Sequence, residues 1–113
     1  MTTTELLEGV IAAWRAGDAL RAAAYFAPDA VYHEARHDPL RGRAAIAAHF
    51  VRFFRDGPLW RFEIDAQIVQ GELAALAYRF GVKGAAQEWS ERAGCAIIEA
   101  AGGLLRSWRE YEG

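Results

Sequence analysis

His33, Glu34, His37 and Asp38 crowd together in the stretch from Ala27 to Phe50, and they are the residues of this chain best suited to chemistry. His33-Glu34-Ala35-Arg36-His37 matches the H-E-x-x-H zinc pattern letter for letter. That chemistry requires a helix, on which imidazoles four residues apart share a face and the glutamate reaches a metal-bound water. Here Ala30-Val31-Tyr32 favours a strand. Asp38-Pro39 then closes the segment, because the residue before a proline is pushed out of the helical region. On a strand the two imidazoles stand about 13 Å apart along the chain. The match is read as coincidence, and neither a metal nor a cofactor is expected. Glu34 is the sharper candidate. A carboxylate at the mouth of an apolar pocket has its pKa raised by desolvation, the shift that makes a general base near neutral pH. The competing reading is a strand-end glutamate paired with a neighbouring Arg or His. His33 should point away from Glu34 if the strand is regular.

The elements that must position Glu34 are readable from hydrophobic period. Thr4-Glu5-Leu6-Leu7-Glu8 opens a helix as a Thr cap followed by acids, and Leu6, Leu7, Val10, Ile11 and Trp14 recur at helical spacing up to Gly17. Asp18 caps a second helix carrying Leu20, Ala24 and Phe26, closed by Pro28. Ala30 to Glu34 reads as a strand and His37-Asp38-Pro39 as a turn. From Gly42, the face of Ala45, Ile46, His49, Phe50, Phe53 and Phe54 predicts a third helix, ended at Asp56-Gly57-Pro58. His49 is assigned no role there.

After Pro58 the period changes to two. Trp60, Phe62, Ile64, Ala66 and Ile68 alternate with polar residues, then Leu76, Tyr78, Phe80 and Val82 do the same, and Glu88 to Glu99 and Leu104 to Glu112 follow as strands. Short glycine-containing turns join them, which predicts an antiparallel meander over residues 59–112. Helices first and strands afterwards predict an α+β fold with the helices on one face of the sheet.

Composition bounds the partners. At 113 residues the chain is read as one domain, 1–113, and its 53% apolar and 25% charged content is that of a globular protein. A net charge of −2, from 13 basic and 15 acidic residues, leaves no electrostatic footprint for nucleic acid or an anionic membrane. No apolar run approaches the roughly 20 residues that span a bilayer, and MTTTELLEG has neither the basic nor the apolar region of a signal peptide. Cys95, the single cysteine, lies among Gly94, Ala96, Ile97 and Ile98 and is expected as a small buried hydrophobe. A reducing, cytoplasmic setting is expected.

Ala16-Gly17-Asp18, Phe26-Ala27-Pro28-Asp29-Ala30-Val31, Leu40-Arg41-Gly42-Arg43-Ala44-Ala45-Ile46 and Ser107-Trp108-Arg109-Glu110-Tyr111 together carry a family resemblance. The chain resembles the nuclear transport factor 2-like superfamily, which includes ketosteroid isomerases, SnoaL-like polyketide cyclases and limonene epoxide hydrolases. Its last strand and proline-turn-glycine segment look most like the SnoaL-like branch. The resemblance implies a cone, in which a strongly curved antiparallel sheet wraps three N-terminal helices and leaves a pocket at the wide end. It also implies a dimer through the outer sheet face, which Trp60 and Trp108 are expected to cover. Glu34 falls where ketosteroid isomerases carry their proton-abstracting Asp. The isomerase's first-helix Tyr falls near Val10 here and its protonated Asp near Gly94, with Glu91 the nearest acid, so the oxyanion donors of a steroid isomerase are missing. The Asp-Arg-Asp set of epoxide hydrolases finds no matching register.

These readings converge on a SnoaL-like protein that binds a small hydrophobic molecule without a cofactor. Glu34 would transfer the proton and His37 or an Arg would serve as complementary acid, in an isomerisation, cyclisation or hydrolysis. Trp14, Tyr32, Tyr78, Phe80, Arg92, Arg109 and Tyr111 are the expected ligand-binding residues. The alternative is a non-catalytic binding or dimeric scaffold protein, since fold does not imply function. A base joined inside the cone by an acid or donor favours catalysis. A pocket whose only carboxylate is salt-bridged favours binding.

Overall fold

The computed structural model describes residues 1–113. Helix α1 (Thr3–Arg15) starts at a capping box two residues earlier than expected. Thr2 Oγ1 accepts from Glu5 N at 3.1 Å, and Glu5 Oε1 accepts from Thr2 N at 2.9 Å, so two backbone donors that a helix start leaves orphaned are satisfied. Leu6, Leu7, Val10, Ile11 and Trp14 form its buried face, as their spacing predicts. The chain leaves the helix through Gly17 at φ +69°, a conformation costly for any residue with a Cβ. Asp18 caps α2 (Ala19–Ala24), accepting from Arg21 N at 3.1 Å. Phe26 belongs to strand β1 (Phe26–His33) and not to the second helix, so the strand begins earlier than Ala30. A two-residue strand β2 (Leu40–Arg41) follows the turn and pairs back on β1. Helix α3 (Arg43–Asp56) is the predicted third helix.

The rest is sheet: β3 (Trp60–Gln70), β4 (Leu73–Lys83), β5 (Trp89–Ala101) and β6 (Leu104–Glu112). These pair antiparallel in sequence order, as the change of period predicts. The edge of β6 is then completed by β1 running parallel to it, giving the six-stranded order β2-β1-β6-β5-β4-β3. The architecture is α+β, with helices packed against a curved sheet. The helices fill its concave side. There the core gathers around Trp108, Tyr78, Phe26, Leu76 and Ile98, all essentially inaccessible.

Two bulges decide which side chains face that core. In β3, Ile64 pairs with Tyr78 but Ala66 pairs with Ala77, so Asp65 is an extra residue. In β6, Leu105 pairs with Ala100 but Ser107 pairs with Glu99, so Arg106 is the extra one. An inserted residue bends the strand and reverses its alternation beyond that point. Trp60, Phe62 and Ile64 therefore face inward, whereas Ile68 is turned out and 70% exposed. Leu105 and Trp108 are both fully buried for the same reason. This corrects the expectation that Trp108 and Trp60 cover an outer face. Trp108 lies in the core, and Trp60 stacks inside against Phe54 and Phe80 with centroids 5.9 and 6.2 Å apart.

Candidate functional site

The open end of the cone holds a cavity lined by sixteen residues, ten of them hydrophobic, with about 70 Å³ open to the centre of a water molecule. One water needs roughly 10–15 Å³ on that measure, so the space suits a few waters or one compact molecule. Its walls are rings. Trp14 meets Phe50, Phe62 and Trp108 edge-to-face at 5.7, 5.9 and 5.1 Å, and Phe62 stacks on Tyr78 at 5.2 Å. The indole N–H of Trp14 is buried among these rings without a hydrogen-bond acceptor.

Glu34 follows directly on β1 and faces this cavity, on the same side of the chain as the buried Tyr32. Its carboxylate Oε1 lies 2.7 Å from His49 Nε2 on α3, with both side chains about one-third exposed (32% and 28%). His49 is thus the imidazole in contact with Glu34. His37, the expected acid, stands exposed at the cavity mouth, in the turn after β1. Because His33 is in β1 and His37 in that turn, the helical face required by the zinc pattern does not form. His33 pairs in register with Arg109 on the outer face, opposite Glu34 as alternation requires.

Two further carboxyls enter from β6. Glu112 is the hub of the polar floor, with a side chain only 6% exposed. Its Oε2 accepts from the Tyr78 hydroxyl at 2.8 Å, and its Oε1 lies 2.9 Å from Arg36 Nη2 and 3.4 Å from Arg92 Nε. Glu110 Oε2 accepts from the indole N–H of Trp108 at 3.0 Å, and no cation pairs with it. Burial pushes the Glu110 pKa from 4.5 up to about 7, helped by repulsion from Glu34 and Glu112; the Trp108 N–H and the Tyr78 hydroxyl pull the other way. Burial and the neighbouring Glu110 likewise hold the Tyr78 hydroxyl well above its ordinary range, so it stays a donor. Tyr32 is shifted in the same direction by burial, Glu110 and Glu34.

Of the expected ligand-binding residues, Trp14, Tyr32, Tyr78, Phe80 and Arg92 line the cavity. Arg109 and Tyr111 do not. Both are exposed on the outer face, Tyr111 by 55%, because the bulge at Arg106 reverses the strand. Arg79 is also outside, bonded through Nε to Asp65 Oδ1 at 3.0 Å. Cys95 is half-buried on that same outer sheet face and not in the core. Glu110 and Glu112 went unnoticed in the sequence, though Trp108-x-Glu110-x-Glu112 alternates at the strand period and could have disclosed them. Gly94, where the resemblance places an isomerase acid, has no side chain for a physical reason. A Cβ there would stand 2.6 Å from the Tyr78 hydroxyl and 2.7 Å from Glu112 Cγ. On the neighbouring strand Glu112 pairs in register with Gly94.

A family model described as SnoaL-like domain matches residues 7–108. The chain belongs to this family. No curated protein matches the sequence. Among solved structures, this SnoaL-like domain resembles an LEH-like epoxide hydrolase of M. tuberculosis at TM-score 0.85 and 17% identity, over 98% of this chain and 82% of that one. It resembles a putative polyketide cyclase of Pseudomonas putida KT2440 at TM-score 0.80 and 19% identity, over 100% and 92%. A hypothetical protein with a ketosteroid isomerase-like fold from Catenulispora acidiphila DSM 44928, in complex with trimethylamine, gives TM-score 0.80 and 20% identity over 95% and 84%. Likenesses at these identities carry the NTF2-like fold, and the chemistry must come from the site itself.

Proposed function

We propose that this SnoaL-like domain binds a compact, largely apolar molecule in the cone cavity and moves a proton on it without a cofactor. Glu34 is the base, and His49, in place of His37, is the complementary acid. The observation that carries this reading is the Glu34–His49 contact of 2.7 Å at the edge of an aromatic cavity. A carboxylate there can take a proton from a substrate carbon or a water. An imidazolium beside it can return one to the product, which is the pairing that isomerisation, cyclisation and hydrolysis share. A salt-bridged carboxylate alone in the pocket would favour a binding module. Glu34 is not alone, because Glu110 holds an ionisable proton in the same cavity near neutral pH.

Proton transfer has a readout that does not require the natural substrate. Wash-out of α-deuterium from a compact ketone such as deuterated cyclopentanone, followed by NMR, reports abstraction and return directly. Glu34→Gln keeps the shape and removes the base, so exchange should fall by about 10²-fold or more, the usual range for one acid–base group. Ketone binding and melting temperature should hardly change. Equal exchange rates in the wild type and the Gln variant would remove Glu34 from the mechanism. Binding without any exchange would return the domain to the binding-module class.

A further inference from the structure

The carboxyls around the cavity are not equally partnered, and one of them has no basic side chain beside it. Glu34 has His49, and Glu112 has Arg36, Arg92 and the Tyr78 hydroxyl. Glu110 has the Trp108 N–H and no cation. The two guanidinium side chains are paired with Glu112 and more than half exposed (57% and 53%). Glu110 shares the cavity with the rings of Trp14, Tyr32, Phe62 and Tyr78, and with the carboxyls of Glu34 and Glu112. Aromatic faces carry negative charge density and attract cations, and do so more strongly where water is excluded. A carboxyl without a counter-ion and walls of ring faces are complementary to the same ligand feature.

We infer that the ligand of this cavity carries a small organic ammonium group, which pairs with Glu110 and packs against the ring faces. This rests on the reading that the cone cavity is the ligand site, and it names the chemical class. The ammonium supplies a cation to the one carboxyl with no basic side chain beside it. The apolar body of the ligand takes the remaining ring surface, and Glu34–His49 is left free for proton transfer. A simple amine keeps its charge to about pH 10, as a lysine does. A cation paired with Glu110 favours its ionised form, so binding near pH 7 should release the Glu110 proton.

The test uses the full chain and two probes of nearly equal shape, cyclopentylammonium and cyclopentanol, titrated by NMR between pH 5.5 and 8.5. At pH 8, with Glu110 ionised, the ammonium should bind at least tenfold tighter than the alcohol. That preference should shrink as Glu110 protonates toward pH 5.5. Glu110→Gln should abolish the preference and its pH dependence while leaving cyclopentanol affinity within about twofold. His49, Glu34, Glu112, Arg36 and Arg92 remain in both proteins, so the difference between them isolates Glu110. If the Gln variant does not fold, proton release from calorimetry in two buffers of different ionisation enthalpy decides instead, measured on a His37→Gln, His49→Gln protein so that the two imidazoles of the cavity cannot supply the proton. Uptake of a proton, or no change, overturns the proposal in favour of a neutral ligand held by the Glu110 acid. Cyclopentanol binding as tightly as the ammonium overturns the ammonium class and leaves the cavity standing as a site. Failure of both probes to bind overturns the cavity reading as well.

Discussion

Replacing Glu110 by Gln should make the protein more stable at neutral and alkaline pH, although it removes a group that is hydrogen-bonded in the fold. Burial holds the carboxyl protonated up to about pH 7 when folded, whereas the unfolded chain releases the proton near 4.5. Over that interval the folded state binds a proton that the unfolded state does not, so stability falls as pH rises through it. The stabilisation is complete below 4.5 and gone above 7. At about 1.4 kcal/mol per pH unit the interval amounts to at most about 3 kcal/mol. In a domain of this size that is on the order of 10 °C in Tm. Glutamine cannot ionise, and its amide oxygen can still accept from Trp108. Glu110→Gln should therefore match the wild type near pH 5 and exceed it by up to about 3 kcal/mol at pH 8. Urea unfolding of both proteins at half-unit pH steps measures this, and the difference between the curves removes every other titrating group. Parallel curves, or an equal loss at both pH values, would refute the buried-acid argument.

Trp108→Phe removes the N–H that favours the ionised Glu110, so the midpoint of the Glu110 carboxyl, followed by NMR, should rise above its wild-type value. A fall would show that this hydrogen bond has been misread. Gly94→Ala drives a methyl group into the Tyr78 hydroxyl, Glu112 and the backbone oxygen of Tyr111, the last at 2.8 Å. It should cost about 1–3 kcal/mol in urea unfolding, and a neutral result would mean that the polar floor is soft. A homodimer is proposed through the outer sheet face, where Ile68, Leu73 and Tyr111 are 70%, 49% and 55% exposed. Light scattering at micromolar concentration should show it, and Ile68→Glu should dissociate it; a monomeric wild type would refute it.

The parts of this molecule that were legible in the sequence are those governed by unbroken periodicity. The α1 face, the third helix and the alternation of Leu76, Tyr78 and Phe80 required no knowledge of neighbours, because 3.6-residue and two-residue periods state directly which side chains share a face. The start of β1 was misread because Phe26 continues the apolar spacing of α2, and only pairing with Leu105 makes it a strand residue. Glu34 could be placed by counting two from Tyr32. His49 could not, since its contact with Glu34 depends on how α3 packs across β1, and no local pattern encodes that distance.

The candidate chemistry was lost at a single residue. Alternation counted from Leu105 sends Ser107, Arg109 and Tyr111 inward, and it yields a pocket with a guanidinium and a phenol. The bulge at Arg106 exchanges that set for Trp108, Glu110 and Glu112. The same strand then gives an acidic, hydrogen-bonded floor with one carboxyl short of a counter-charge. Packing offers no reason for this choice, because Gln at position 110 would keep the Trp108 bond and avoid the cost of ionisation. A buried acid that weakens the fold at neutral pH is expected where a ligand or a reaction uses it, since stability is commonly given up at functional sites. The bulge also turns Tyr111 to the outer face, so one inserted residue shapes both the cavity and the surface proposed for dimerisation. Deleting Arg106 should accordingly disturb both together, whereas a bulge serving only to curve the sheet would leave the identity of its flanking residues free.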